Sequence, residues 1–241
     1  MKLGILETGK LADHLAVRFG HYPEIFRNLY EPLDDDLTFA AYEVVHGRFP
    51  ERVDECDAWL VTGSKFGVYD PEPWIDPLKA FLRKARDARV PMIGICFGHQ
   101  IMAEAFGGRA EKSERGWGCG VHRYRVERQV GWLANSGDEI SMYAMHQDQV
   151  VALPDDATRL ATSSFCVNAI VSYGDPDRPY AVSVQAHPEF SRELAEALVQ
   201  FRRSSHIPEP VADAALETFG TAVDNRMIAQ STLKYASAFG R

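Results

Sequence analysis

The stretch Pro91-Met92-Ile93-Gly94-Ile95-Cys96-Phe97-Gly98-His99-Gln100 decides how this chain folds. The apolar run Val90–Ile95 has the length and composition of a buried strand, and Phe97–Phe106 after it is spaced as a helix. Gly107-Gly108 ends that helix, because glycine accepts the left-handed cap. Between them stands G-x-C-x-G, a nucleophile-elbow pattern with cysteine in the place of serine. The chain must turn sharply there, and Gly94 and Gly98 bring no side chains to collide across the corner. Cys96 then lies at a helix N-terminus, where unpaired N–H groups and the helix dipole favour a thiolate. The N–H of Phe97 points to where an oxyanion forms during acyl transfer. The competing reading is a buried packing cysteine between two glycines in a strand-turn-helix; the strand-like run before Gly94 and the helical run after Gly98 weigh towards the elbow.

Working outward, Leu3–Glu7, the alternating Thr38–Val45 and the apolar Ala58–Val61 read as strands, and Thr8–Leu29 carries mixed helix and loop signals. Trp74–Ala88 is helical, with Trp74, Leu78, Phe81, Leu82 and Ala85 on one face. Strands interleaved with helices predict an α/β fold, a mostly parallel sheet flanked by helices. From Trp117 to Val151 the pattern changes, and Gly120–Val126 and Ile140–Ala144 predict a small antiparallel extension. Tyr180–Ala186 is a late buried strand and Ser191–Arg203 a helix. Val211–Tyr235 reads as helical, with a stripe of Leu216, Phe219, Val223, Met227 and Ile228. The expected organisation is one domain over residues 1–205 and a helical tail over 206–241, packed on the domain or on a partner.

Bulk composition narrows the function classes. The chain has 241 residues, 46% of them apolar, and a formal net charge of −8 from 26 basic and 34 acidic residues. That balance excludes a general nucleic-acid binder, which needs a dense basic surface. The opening MKLGILETGK has too short an apolar stretch for a signal peptide, and no stretch approaches the ~18 apolar residues of a membrane span. A cytoplasmic protein is expected, with Cys56, Cys96, Cys119 and Cys166 reduced and no metal knuckle among them.

A thiolate nucleophile wants an imidazole, and the imidazole wants a carboxylate to orient it. Of eight histidines, His187 alone follows a late apolar strand, in Gln185-Ala186-His187-Pro188-Glu189-Phe190. Functional groups of a parallel sheet gather where strands end, and both Cys96 and His187 sit at such ends. Pro188 fixes the local turn so that Glu189 can stand beside the ring.

Together, Gly94-Ile95-Cys96-Phe97-Gly98-His99-Gln100 and His187-Pro188-Glu189 resemble the two marks of the class I, triad-type glutamine amidotransferases: G-x-C-x-G-H-Q and a late H-P-E. The resemblance covers about residues 1–203. It implies a flavodoxin-like fold and a catalytic Cys96, His187 and Glu189. Thr62-Gly63-Ser64 resembles the family's oxyanion loop, with Ser64 where Gly is usual and no following Pro; Gly63, Ser64 and Phe97 would form the oxyanion hole. Gln100 matches a glutamine-contacting position. Gly116-Trp117-Gly118 stands where family members offer main-chain groups to the substrate's amino-acid end. Met145-His146-Gln147-Asp148 is similar to the S-H-x-D segment of GMP synthases, which leaves His146 either a site residue or a hydrogen-bonded loop histidine. Phe19–Phe26 with Val68-Tyr69-Asp70 resembles a stand-alone, GMP-synthase-like branch.

What the resemblance implies is hydrolysis of the glutamine side-chain amide through a glutamyl thioester, with no metal or organic cofactor. No G-x-x-x-x-G-K-[ST] loop is present, so no ATP site is expected. Either a separate synthase subunit takes the ammonia, or the protein is a γ-glutamyl peptidase acting on γ-glutamyl compounds. A non-catalytic module of the same fold is the third reading, and the intact Cys, His and Glu speak against it.

Overall fold

The computed structural model describes residues 1–133 and 136–239, and the elbow stretch lies near the middle of its larger sheet. In chain order the elements are β1 (Lys2–Leu6), α1 (Asp13–Phe19), α2 (Tyr22–Tyr30), β2 (Thr38–Tyr42), β3 (Ala58–Val61), α3 (Ile75–Asp87), β4 (Met92–Ile95) and α4 (Phe97–Ala105). They continue with β5 (Arg109–Lys112), β6 (Gly118–Val126), β7 (Glu139–His146), β8 (Asp148–Ala152), β9 (Ala157–Thr162), β10 (Ile170–Tyr173), β11 (Ala181–Val184), α5 (Arg192–Arg202), α6 (Glu209–Thr218) and α7 (Asn225–Phe239). The sheet runs β2-β1-β3-β4-β11-β10-β9-β6-β7, and β5 pairs with β8 beside it. From β2 to β11 every pairing is parallel; from β11 to β7 every pairing is antiparallel. The expected mostly parallel sheet with an antiparallel extension is therefore the observed one.

Side chains alternate across the central strands, as the pleat requires. Leu3, Ile5, Ala58, Leu60, Ile93 and Ile95 join one apolar cluster, with α1, α2, α5, α6 and α7 over it. Leu6, Trp59, Val61 and Met92 point the other way into a second cluster, under α3 and α4. Both faces of β1, β3 and β4 are covered, which is why those strands read as apolar runs without alternation.

Two details differ from the sequence reading. Val211–Tyr235 is two helices, α6 and α7, with the break at Phe219–Asp224. The polar residues at the break are tied to the sheet: Thr218 Oγ1 accepts the Val121 N–H at 2.8 Å, and Asp224 Oδ2 accepts the Ser141 N–H at 2.7 Å. Gly220 also disfavours an unbroken helix. Phe219 and Ile228 of the expected stripe are buried, and Leu216, Val223 and Met227 pack at its margin. Of the tail, residues 240–241 lie outside the described ones. The second difference is four unforeseen strands, β5, β8, β9 and β10; β5 reads Arg-Ala-Glu-Lys and buries only its alanine, so it carries no apolar period.

The parallel register brings the carboxyl ends of β1, β3, β4 and β11 to one edge, where segments Glu7–Gly9, Thr62–Ser64, Cys96 and Gln185–Glu189 meet. The closest packing there is between α4 and β3. A Cβ placed on Gly98 would stand 2.3 Å from the Val61 carbonyl oxygen and 2.9 Å from its Cβ. Gly98→Ala is therefore expected to destabilise the fold by about 1–3 kcal/mol through overpacking, seen as a lower denaturant midpoint at unchanged slope. A midpoint equal to wild type would contradict the contact.

Candidate active site

Cys96 occupies the corner between β4 and α4 with φ +53° and ψ −101°. A β-carbon in this region meets the backbone, so the corner persists only because its surroundings over-determine it. The Cys96 N–H is bonded to the Val184 carbonyl at 2.9 Å, and its own carbonyl accepts the Gln100 N–H at 3.1 Å. The thiol is thus held at a fixed point above the sheet edge, at the N-terminus of α4.

His187 is anchored from three sides. Its N–H reaches the Tyr143 carbonyl at 2.8 Å, Asn225 Nδ2 reaches its carbonyl at 3.3 Å, and its ring stacks on Phe190 at 4.0 Å. Nδ1 meets Glu189 Oε1 at 2.7 Å, and the ring lies beside Cys96, close enough for the two to interact electrostatically. Glu189 is sealed from solvent, and its Oε2 takes no hydrogen bond among the described residues. Burial by itself works against a charged imidazole here. The Glu189 carboxylate and Cys96 outweigh it and raise the His187 pKa from 6.5 to about 10. The imidazolium therefore persists through neutral pH and is lost only as pH rises through that value.

The Thr62–Ser64 loop closes the other side. A Cβ on Gly63 would lie 3.2 Å from His187 Cε1 and 3.7 Å from Cys96 Cβ, so the loop passes directly against both. Thr8, at the end of β1, holds it: Thr8 Oγ1 lies 2.9 Å from the Thr62 carbonyl and 3.2 Å from the Gly63 carbonyl. The Ser64 hydroxyl is turned away to donate to the Thr8 carbonyl at 2.7 Å. The N–H groups of Ser64 and Phe97 have no acceptor among the described residues. Two free donors near a thiol can hold a developing oxyanion.

A cavity of about 400 Å³ opens at Cys96, lined also by Ser64, Gln100, Trp117, His146, Asp148 and Arg202. Gln100 Nε2 donates to the Asp148 carbonyl and to Gln185 Oε1, which leaves Oε1 as its free acceptor. His146 is buried and neutral, its pKa pushed down to about 3 by burial, with Nδ1 donating to the Asp148 carbonyl. Trp117 lies on the cavity wall; Gly116 and Gly118 lie off it, the latter with Phe165 packed where a side chain would be. Sequence reasoning missed Thr8 and Arg202, and it quoted Tyr69 and Asp148 within family-like segments without giving either a site role. Tyr69 and Asp148 are joined at 2.9 Å across 79 positions, a pairing no local pattern signals. His99, within the elbow motif, is structural: it is buried against Ser183 at 2.7 Å, and burial lowers its pKa to about 3. No group of three or more His, Cys, Asp or Glu among the described residues is placed to hold a metal ion, and no helix there is long and apolar enough to cross a membrane.

A family model for glutamine amidotransferase class-I matches residues 39–204. The chain belongs to the class I glutamine amidotransferase family. It is 27% identical to gamma-glutamyl peptidase 3 of Arabidopsis thaliana, over 92% of this chain and 91% of the relative. It is 36% identical to a glutamine-hydrolyzing GMP synthase subunit of Archaeoglobus fulgidus, over 43% of this chain and 55% of that one. Its fold is that of a Thermotoga maritima glutamine amidotransferase structure, at a TM-score of 0.72 and 20% identity, covering 98% of this chain and 95% of that one. The chain is thus similar both to a peptidase along most of its length and to a synthase subunit over a shorter span.

The charge on His187 gives a test. Glu189→Gln removes the largest contribution raising its pKa, so Cys96 alkylation by iodoacetamide at about pH 7 should slow by at least about 10-fold and become steeply pH-dependent. An unchanged rate would mean that Glu189 does not set the charge of the pair.

Proposed function

We propose that the chain is a thiol amidohydrolase that cleaves γ-glutamyl amide bonds, with Cys96 as nucleophile and His187 and Glu189 as its acid–base pair. One observation carries this reading: a cysteine on a strained strand–helix corner contacts a buried, carboxylate-paired imidazole, and it opens onto a cavity. The Cys96 thiolate attacks the γ-carbonyl carbon, and the oxyanion is taken by the Phe97 and Ser64 N–H groups. As the C–N bond breaks, the His187 imidazolium gives its proton to the departing nitrogen, leaving a glutamyl thioester and a neutral ring. Water attacks the thioester and loses a proton to His187. The C–S bond breaks, glutamate leaves, and the thiolate–imidazolium pair is restored. Glu189 keeps the ring oriented and stabilises its charge throughout.

Two leaving groups suit this chemistry: ammonia from glutamine, and the amine of a peptide. The peptide is favoured by the room beyond Cys96, about 400 Å³ lined by Lys65, Tyr69, Lys112 and Trp117, within the range of sites that enclose a drug-sized ligand. The peptidase relative's match along nine-tenths of both chains supports the same reading. The synthase relative supports the other, in which a separate synthase subunit receives ammonia.

The purified chain should release glutamate from γ-glutamyl-cysteinyl-glycine faster than from glutamine. Cys96→Ala should lower both rates by at least about 10³-fold. Turnover by Cys96→Ala at the normal rate would overturn the mechanism. A preference for glutamine, strengthened by a synthase partner, would overturn the choice of leaving group.

A further inference from the structure

Two consecutive arginines stand at the end of α5, and the fold treats them differently. Arg203 is held by Asp213 at distances between 2.9 and 3.1 Å and by Glu209 at 3.2 Å. The Arg202 guanidinium has neither a carboxylate partner nor a hydrogen-bond acceptor among the described residues. It is half-buried, and its central carbon lies 5.9 Å from the centre of the Trp117 ring. The acids on the cavity wall are engaged elsewhere: Asp70 accepts the Gly67 N–H at 2.8 Å, and Asp148 accepts the Tyr69 hydroxyl at 2.9 Å. A guanidinium stays charged at any working pH. Left partly desolvated and unmatched at the mouth of a cavity, it is a site waiting for an anion.

We propose that Arg202 binds the α-carboxylate of the γ-glutamyl group; this rests on the function proposed above. With the γ-carbonyl over Cys96, the α-carboxylate carbon is four bonds away, at most roughly 5 Å. Its counter-charge must come from the wall next to the thiol. Of the residues there that can carry positive charge, Lys65, Lys112, Arg202 and His206 line the outer cavity. Arg202 alone of these also lines the narrow recess bounded by Cys96, Ser64, His187 and Met145. Its planar fork can take a carboxylate through two parallel N–H bonds, and the Trp117 face beneath it limits where the fork can turn. Arg202 thus makes the site selective for a glutamyl group with a free α-carboxylate, over an otherwise equal amide without one.

The test compares glutamine with its α-carboxamide analogue, and a γ-glutamyl peptide with the analogue blocked in the same way. Wild type should prefer the free carboxylate by roughly 100-fold in kcat/KM. Arg202→Met should lose most of that preference, chiefly through KM, and Arg202→Lys should restore part of it. Thermal unfolding of both variants within a few degrees of wild type shows that the fold is intact. Full retention of the preference in Arg202→Met would overturn the assignment. Wild type that cleaves neither member of either pair would instead overturn the proposed function, and this assignment with it.

Discussion

Helix α4 lies so close to strand β3 that no side chain fits between Gly98 and Val61, and that approach fixes where Cys96 stands. A helix this near the sheet must begin immediately at the strand's end, so the residue at the junction takes up the whole change of direction. Cys96 does so at a positive φ that a non-glycine residue seldom adopts. The parallel register of β3, β4 and β11 then does the rest, because it brings Thr62–Ser64 and His187 to the same edge as the corner. The site is thus a property of the sheet's central strands.

Electrostatically, the site has two halves. The inner half is the sealed His187–Glu189 pair, in which burial disfavours charge and the carboxylate and sulfur restore it. That balance keeps an imidazolium beside the thiol at neutral pH, the state in which a proton is ready for a leaving amine. The outer half is the cavity, whose acids are held by neighbours while Arg202 is not. Under the proposed function, the inner half breaks the bond and the outer half selects what is broken.

Much of this was legible from residues alone. The elbow announces itself because sterics demand glycine on both sides of the corner, and the strand and helix that flank it are strongly periodic. His187 and Glu189 were legible because a late apolar strand ends on them. The antiparallel half was only partly so: β9 and β10 are short, and β5 is polar and pairs with β8 across a long stretch of chain. Thr8 and Arg202 were illegible for the same reason. The bond of Thr8 to Thr62 spans 54 positions, and Arg202 looks like any helix-ending arginine until its neighbour's ion pairs and its own lack of one are seen. The broken tail helix shows the converse, since an apolar stripe continues through Thr218–Asp224 while the polar side chains there bond to β6 and β7.

The central claim is that Cys96 becomes covalently attached to a glutamyl group during turnover. The most direct measurement is intact-protein and peptide mass spectrometry after rapid acid quench of the enzyme with saturating γ-glutamyl substrate. A mass increase of one glutamyl group, on the peptide carrying Cys96 and reversed on standing at neutral pH, is the predicted result. Steady release of glutamate with no adduct on Cys96, or with the adduct on another residue, would contradict it.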